Sequence, residues 1–114
     1  MKTIIAGTRT FTNYKLLSEA MENLPWQPST IISGAARGAD KLGERWAKAN
    51  DIPIEQFPAD WQKFGKSAGY RRNVQMAEAA EALVAFWDGK SRGTNHMLKI
   101  AKERNLKIEV VEIG

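Results

Sequence analysis

The 114-residue chain has no cysteine, a single histidine and no long apolar run. Without cysteine, disulfide bonds and thiolate metal sites are excluded. The lone His96 has no carboxylate or histidine partner at ligand spacing, so no metal site is expected. The apolar run at the amino terminus is too short for a signal-peptide core, and no stretch approaches membrane-spanning length. We therefore expect a cytoplasmic protein that does not contact a membrane.

The composition is that of a soluble globular protein, with 43% hydrophobic and 26% charged residues. A chain of this length fits one domain, residues 1–114, built around one continuous core. Its net charge of +4 suits an anionic ligand, and nucleic acid is one candidate. The basic residues are spread along the chain, so a mildly basic protein without such a ligand fits the charge equally well.

Five β-rich apolar runs alternate with four segments of helical periodicity, which predicts βαβ units and a parallel sheet. The runs 3–6, 30–33 and 82–87 are almost wholly apolar, as in strands covered on both faces. The runs 52–57 and 106–113 carry proline or charge, which is typical of sheet edges. The predicted helices are 13–24, 39–49, 70–80 and 94–104.

These patterns predict an α/β fold: a single Rossmann-like three-layer domain with a five-stranded, mainly parallel sheet of order 3-2-1-4-5. In that order the chain reverses direction between strands 1 and 4. The crevice at the carboxyl ends of those strands is then the expected ligand site. Four segments follow strands and should converge there.

The first two segments combine small residues with arginine. Gly7, Thr8 and Arg9 follow the first strand, where glycine permits a tight turn and arginine is a bidentate donor for phosphate. A turn glycine beside a surface arginine is the alternative. The loop from Ser33 to Asp40 holds Gly34, Arg37 and Gly38, and its small residues should leave backbone N–H groups uncovered for phosphate at a helix N-terminus. Asp40 is interpreted as a helix cap or first-turn residue rather than a catalytic acid.

The third segment is the twelve-residue connection after the third strand, and connections of this length are often functional. Trp61 is a candidate for stacking on a base, and Arg71 or Arg72 for meeting phosphate. Alternatively, Trp61 and Phe64 fasten the connection onto the domain.

The fourth segment follows the fourth strand and contains Asp88, Gly93 and Thr94. Glycine and threonine at a helix start form an anion nest, although Thr94 as a plain helix cap explains the same pattern. His96 is interpreted as a first-turn residue rather than a catalytic base.

The motifs at these strand ends together resemble the YspA, cpYpsA-related family of the SLOG superfamily of Rossmann-like nucleotide-binding domains. Nearly the whole chain is covered. The resemblance implies a nucleotide-derived ligand but no settled reaction. Tyr70-Arg71 departs from the proline-containing version expected there, which leaves the start of the third helix open. The matching motifs are Gly7-Thr8-Arg9, Ser33-Gly34, Gly38-Ala39-Asp40, Pro58-Ala59-Asp60-Trp61, Ala68-Gly69, Arg72-Asn73, Trp87-Asp88-Gly89 and Gly93-Thr94.

Two more distant relatives imply different activities. Lonely-guy phosphoribohydrolases cleave an N-glycosidic bond with an arginine on the third helix, for which Arg71 or Arg72 could stand in. Their glutamate after a Gly-Gly-x-Gly-Thr loop has no counterpart here. The DNA-processing protein of natural transformation binds single-stranded DNA, and residues 36–40 are similar to its loop.

The leading hypothesis is a sensor or sequestering protein for a nucleotide-derived small molecule. Gly34, Arg37, Gly38, Gly93 and Thr94 would hold phosphate, while Arg9, Arg72 and Asn73 would contact phosphate or ribose and Trp61 would face the base.

One alternative is a nucleotide hydrolase in which Asp40, Glu44 or Asp88 replaces the missing glutamate. The other is single-stranded nucleic-acid binding, motivated by Trp61 and Tyr70 near basic residues. A homodimer is expected only by analogy with the superfamily.

Overall fold

The fold is a five-stranded parallel sheet covered by helices on both faces, in a computed structural model that describes residues 1–113. The strands are β1 (Lys2–Gly7), β2 (Thr30–Ser33), β3 (Ile54–Gln56), β4 (Ala82–Trp87) and β5 (Lys107–Glu112). The sheet order β3-β2-β1-β4-β5 confirms the predicted topology, and every neighbouring pair is parallel. The helices are α1 (Tyr14–Glu22), α2 (Ala39–Ala49), α3 (Trp61–Phe64), α4 (Ala68–Ala79) and α5 (Arg92–Glu103), with a 3-10 turn at Gly65–Ser67.

The core lies in two layers because successive residues of a strand point to opposite faces of the sheet. Ile4 packs on the face covered by α4 and α5, together with Met76 and Met97. Ile5 packs on the other face, in the cluster that includes Leu17 of α1 and Trp46 of α2. The central strands are therefore buried on both sides, as their apolar sequences predicted.

The edge strands are confirmed as the ones that carry charge. In β5, Lys107, Glu109 and Glu112 are exposed, and Val110 is 42% exposed. Strand β3 is only three residues long, and Pro53 lies directly before it.

Two helix starts differ from the predicted ones. The third connection is not an open loop, because Asp60 caps α3 by accepting from the Lys63 N–H at 3.0 Å. Helix α4 then begins at Ala68 rather than at residue 70. Helix α5 begins at Arg92 rather than at residue 94, because its N-cap is Ser91. Thr94 therefore lies inside the first turn. No helix within residues 1–113 combines the length and the apolar content needed to cross a bilayer.

Gly38 allows the loops after β1 and β2 to touch. Its φ of +76° lies in the left-handed region, and a Cβ there would collide with the Thr8 carbonyl oxygen. Next to it, the Ala39 N–H donates to the same oxygen at 3.3 Å. This contact holds the ends of two neighbouring strands at the same edge of the sheet.

Replacing Gly38 by alanine should therefore destabilise the fold through both strain and collision. The control is Gly89→Ala, because Gly89 has a φ of +81° but a Cβ on it would meet no atom within 4 Å. We expect Gly89→Ala to cost about 1 kcal/mol and Gly38→Ala at least about 2 kcal/mol. Urea unfolding measures both, and equal losses would contradict the close approach at Gly38.

Candidate functional site

Three adjoining cavities open where the strands end, and Arg9 and Arg72 line all three. We call the first, of about 330 Å³, the loop cavity, because residues 34–37 and Pro58 line it. The sheet-edge cavity, of about 210 Å³, is bounded by Gly7, Asp40 and Thr94 among others. The helix cavity, of about 200 Å³, lies beside Lys66 and Tyr70. Two guanidinium groups therefore stand where the three spaces meet.

Arg72 is a buried cation without a carboxylate partner. Its side chain lies on α4 and the residue is only 9% exposed. Its Nη1 donates to the Gly34 carbonyl at 2.6 Å and its Nε to Asn73 Oδ1 at 3.1 Å. Within residues 1–113, no acidic oxygen lies within the 4.0 Å limit for an ion pair with Arg72. A buried charge normally has such a partner, so the space in front of Arg72 suits an external anion.

Gly34 makes room for this arginine. A Cβ on Gly34 would collide with Arg72 Nη1 and would lie 2.8 Å from Asp40 Oδ2. Its carbonyl also accepts the hydrogen bond from Nη1. The glycine therefore serves the packing of the guanidinium, a role that the sequence pattern did not reveal.

Asn73 links Arg72 to the start of α5 through hydrogen bonds. Its Oδ1 accepts from Arg72, and its Nδ2 donates to the Gly93 carbonyl at 3.2 Å. The same Nδ2 lies 3.2 Å from Nδ1 of His96. Burial lowers the pKa of His96 and so favours the neutral ring, whose Nδ1 can accept this bond.

Asp40 is the carboxylate of this site. Among the residues that line the three cavities, it is the one acidic side chain within the described part of the chain. It is 5% exposed, and burial raises its pKa to about 6. The Ala36 N–H, which donates to Oδ2 at 3.2 Å, and the charge of Arg72 oppose that rise.

The β2–α2 loop uses several of its own amides internally. The Ala35 N–H donates to Ser33 Oγ at 3.1 Å, and the Ala36 N–H donates to Asp40. The Ala39 N–H donates to the Thr8 carbonyl. The loop was expected to offer uncovered amides to phosphate, but these three have partners in the protein, and the arginine side chains supply charged donors at the same cavities.

The start of α5 remains open toward the cavities. Gly93 lines the sheet-edge and helix cavities, and a Cβ there would meet no atom within 4 Å. Thr94 is buried, and its hydroxyl lies 3.1 Å from the Ser91 hydroxyl. The first turn of a helix attracts anions, so this end complements the two arginines.

The structure brings most of the sequence-predicted site residues together. Those that line at least one of the three cavities are Gly7, Arg9, Gly34, Arg37, Asp40, Trp61, Arg72, Asn73, Gly93 and Thr94.

Three further predicted residues lie away from these cavities. Ser33 is fully buried and donates to Glu44 Oε2 at 2.7 Å. Gly38 supports the loop contact described above. Arg71 lines none of the three cavities, and its guanidinium lies 4.4 Å from the ring centre of Phe64.

Thr8 and Asp88 line a separate cavity of about 380 Å³. The Thr8 hydroxyl accepts from the Asp88 N–H at 3.2 Å. The Asp88 carboxylate accepts from the N–H groups of Lys90 and Ser91, and these bonds lower its pKa. Asp88 therefore shapes the turn before α5.

Of the three carboxylates considered for catalysis, only Asp40 faces the cavities. Glu44 is buried and accepts from Ser33 and from Gln56 Nε2, the latter at 3.0 Å. Asp40 is therefore the carboxylate that could serve as an acid or base for hydrolytic chemistry in this space.

Several lining residues were not among the predicted site residues. Tyr70 is 47% exposed, and the sequence had suggested it only for nucleic-acid binding. Lys66 is basic and Ser91 carries a hydroxyl, whereas the others are small or apolar and have no chemical signature. The lining residues outside the predicted set are Ala6, Ala35, Ala36, Pro58, Ala59, Lys66, Gly69, Tyr70, Met76, Ser91 and Met97.

The raised pKa of Asp40 gives a pH-dependent cost to folding. The pKa of an aspartate in an unfolded chain is about 3.9. The cost to folding is therefore absent below about pH 4, grows up to about pH 6 and is complete above it. Asp40→Asn keeps an acceptor for Ala36 and removes the charge. We expect the free energy of unfolding of the variant, relative to that of the wild type, to rise by about 1–3 kcal/mol as the pH increases from about 4 to 7.5. Urea unfolding measures this difference. Asp88→Asn should instead lose stability by an amount that changes little over this pH range, because the lowered pKa of Asp88 lies below it. A pH-independent effect of Asp40→Asn would contradict the assignment.

Comparison with known proteins agrees with the sequence pattern. The YspA, cpYpsA-related SLOG family matches this chain over residues 1–64. The Gene 61 protein of Mycobacterium phage D29 is 31% identical over 117 residues, covering 94% of this chain and 93% of the phage protein.

Two solved structures share the fold at low sequence identity. DNA processing protein A (DprA) from Streptococcus pneumoniae superposes with a TM-score of 0.81 at 15% identity, over 99% of this chain. The chain spans only 50% of the DprA chain. A protein described as a predicted subunit of tRNA methyltransferase from Methanocaldococcus jannaschii gives a TM-score of 0.52 at 12% identity, over 100% of this chain and 69% of its own. The family match and the phage relative show that the chain belongs to the YspA, cpYpsA-related SLOG family.

Proposed function

We propose that this protein binds a phosphate-bearing nucleotide derivative across the three cavities and acts as a sensor or sequestering protein. The observation that carries the proposal is the buried guanidinium of Arg72, which faces the cavities without a carboxylate in contact. Asp40 lies nearby without forming an ion pair, and an external anion would supply a counter-charge in direct contact.

Arg9 adds a second guanidinium to the same space. It lines all three cavities, and its side chain is exposed. Arginine matches phosphate geometry through bidentate hydrogen bonds, and two arginines suit a phosphate group better than one. The open start of α5 at Gly93 favours negative charge at the same place.

The surroundings suit the rest of a nucleotide. Trp61 is 50% exposed and lines both the loop and helix cavities, where its ring could stack on a base. Asp40 and Asn73 offer polar groups for a sugar in the sheet-edge cavity. Taken together, the cavities fall in the range of roughly 300–1,000 Å³ usual for small-ligand sites.

The arginines provide the test of this proposal. Arg9→Ala removes an exposed side chain, and Arg72→Lys keeps the charge but loses the planar donor pair. Both should weaken binding of a nucleotide probe such as ADP-ribose by about tenfold or more, measured by calorimetry. Arg71→Ala is the control, because this neighbouring arginine lies against Phe64 and should leave binding unchanged. Wild-type affinity in both Arg9→Ala and Arg72→Lys would overturn the site.

Single-stranded nucleic acid is a second candidate ligand. Two exposed aromatics, Trp61 and Tyr70, flank the cavities beside Lys66. A shallow surface beyond Tyr70 adds Arg92 and Lys99. Stacking rings beside cations are the usual means of holding single strands. The fold neighbour DprA is itself named a DNA processing protein.

This candidate makes a salt-dependent prediction. A fluorescent oligodeoxythymidylate of about 20 nucleotides should bind, and the affinity should fall by about tenfold or more between about 50 and 200 mM salt. Tyr70→Ala should weaken binding, whereas Lys107→Ala, at the start of β5 and the opposite end of the sheet, should not. No anisotropy change at low salt would exclude nucleic acid as a ligand.

A further inference from the structure

We infer that the site selects a singly charged phosphodiester group in the interior of a ligand over a terminal phosphate monoester. The inference rests on the proposed function and specifies the chemical class of its ligand. It follows from two features, the space around the arginine pair and the charge that faces it.

The space extends in more than one direction from the arginine pair. The loop, sheet-edge and helix cavities all meet at Arg9 and Arg72. The loop cavity continues toward Pro58, whereas the sheet-edge cavity continues toward Met76 and Met97. A phosphate held by both guanidinium groups therefore has room for a substituent on either side, as a diester requires and a terminal phosphate does not.

The charge of the sheet-edge cavity suits one negative charge better than two. Its charged lining residues are Arg9, Arg72 and Asp40, so ionised Asp40 leaves a net charge of +1 in this cavity, whereas Arg37 and Lys66 line only the two neighbouring cavities. Arg72 on α4 and Arg9 after β1 face Asp40 with positive charge, and Glu44 on α2 faces it with negative charge. A dianion would therefore meet a buried carboxylate in the same space.

Asp40 would respond to a dianion by taking up a proton. Its pKa is already raised to about 6 by burial, and a second nearby anion would raise it further. Above that pH, a phosphate monoester must bind with proton uptake or against repulsion. A diester carries one charge per phosphorus at every pH in this range and avoids most of that cost.

Matched ligand pairs test the inference. We would measure the common ribonucleoside 5′-monophosphates and their phosphate methyl esters by calorimetry at about pH 8 and about pH 5.5. The second pKa of a phosphate monoester is about 6. The charges of the monophosphate and its methyl ester therefore differ mainly at the higher pH. For the wild type at the higher pH, we expect the ester to bind at least about fivefold more tightly than the monophosphate. At the lower pH the ratio of the two affinities should approach one.

The variant Asp40→Asn tests whether the carboxylate of Asp40 causes the preference for the ester. It should abolish the preference for the ester at about pH 8, because the cavity would then carry two positive charges. A monophosphate that binds more tightly than its ester to the wild type at that pH would overturn the inference, as would a preference unchanged in Asp40→Asn. In either case ligand binding itself, and the proposed function, would stand.

Absence of binding by every ligand to both proteins would overturn the proposed function and the inference with it. A final comparison distinguishes two sources of the diester. Tighter binding of the nucleotide methyl esters than of the thymidylate oligomer assigns the site to a small molecule, and the reverse order assigns it to nucleic acid.

Discussion

The site depends on one buried charge, the guanidinium of Arg72, which the protein surrounds with neutral acceptors rather than with a carboxylate. The Gly34 carbonyl and the Asn73 amide oxygen each accept a hydrogen bond from this guanidinium. Removing a cation from water is costly, and neutral acceptors offset only part of that cost. An anion in the open space at the end of the sheet would therefore stabilise the guanidinium further.

The neighbouring structure keeps that space open. Gly34 has no side chain to displace the guanidinium, and Gly38 lets the loop after β1 approach the loop after β2. Asn73 ties α4 to the start of α5, so that Gly93 faces the same space as Arg72. Asp40 lies nearby as a partial counter-charge, and its high pKa reflects how little water reaches it. The fold thus gathers two arginines and one weakly acidic carboxylate around cavities large enough for a ligand.

The sheet could be predicted from the sequence because burial acts on whole strands. Apolar runs marked β1, β2 and β4 as central, and the charges of 106–113 marked an edge. The choice between Arg71 and Arg72 was left open, although Arg72 lies one helical turn from the buried Met76 and so shares its inward face. The partners of the loop amides could not be predicted, because sequence spacing does not show that Asp40 turns back to Ala36. Helix α3 was missed because its cap, Asp60, resembles an ordinary loop residue.

The most direct measurement is a crystal structure of the protein grown with ADP-ribose, refined around the arginine pair. The account predicts phosphate oxygens within hydrogen-bonding distance of both Arg9 and Arg72, with the remainder of the ligand in the adjoining cavities. An Arg72 side chain paired with a carboxylate of the protein itself, and a site filled by side chains, would contradict it.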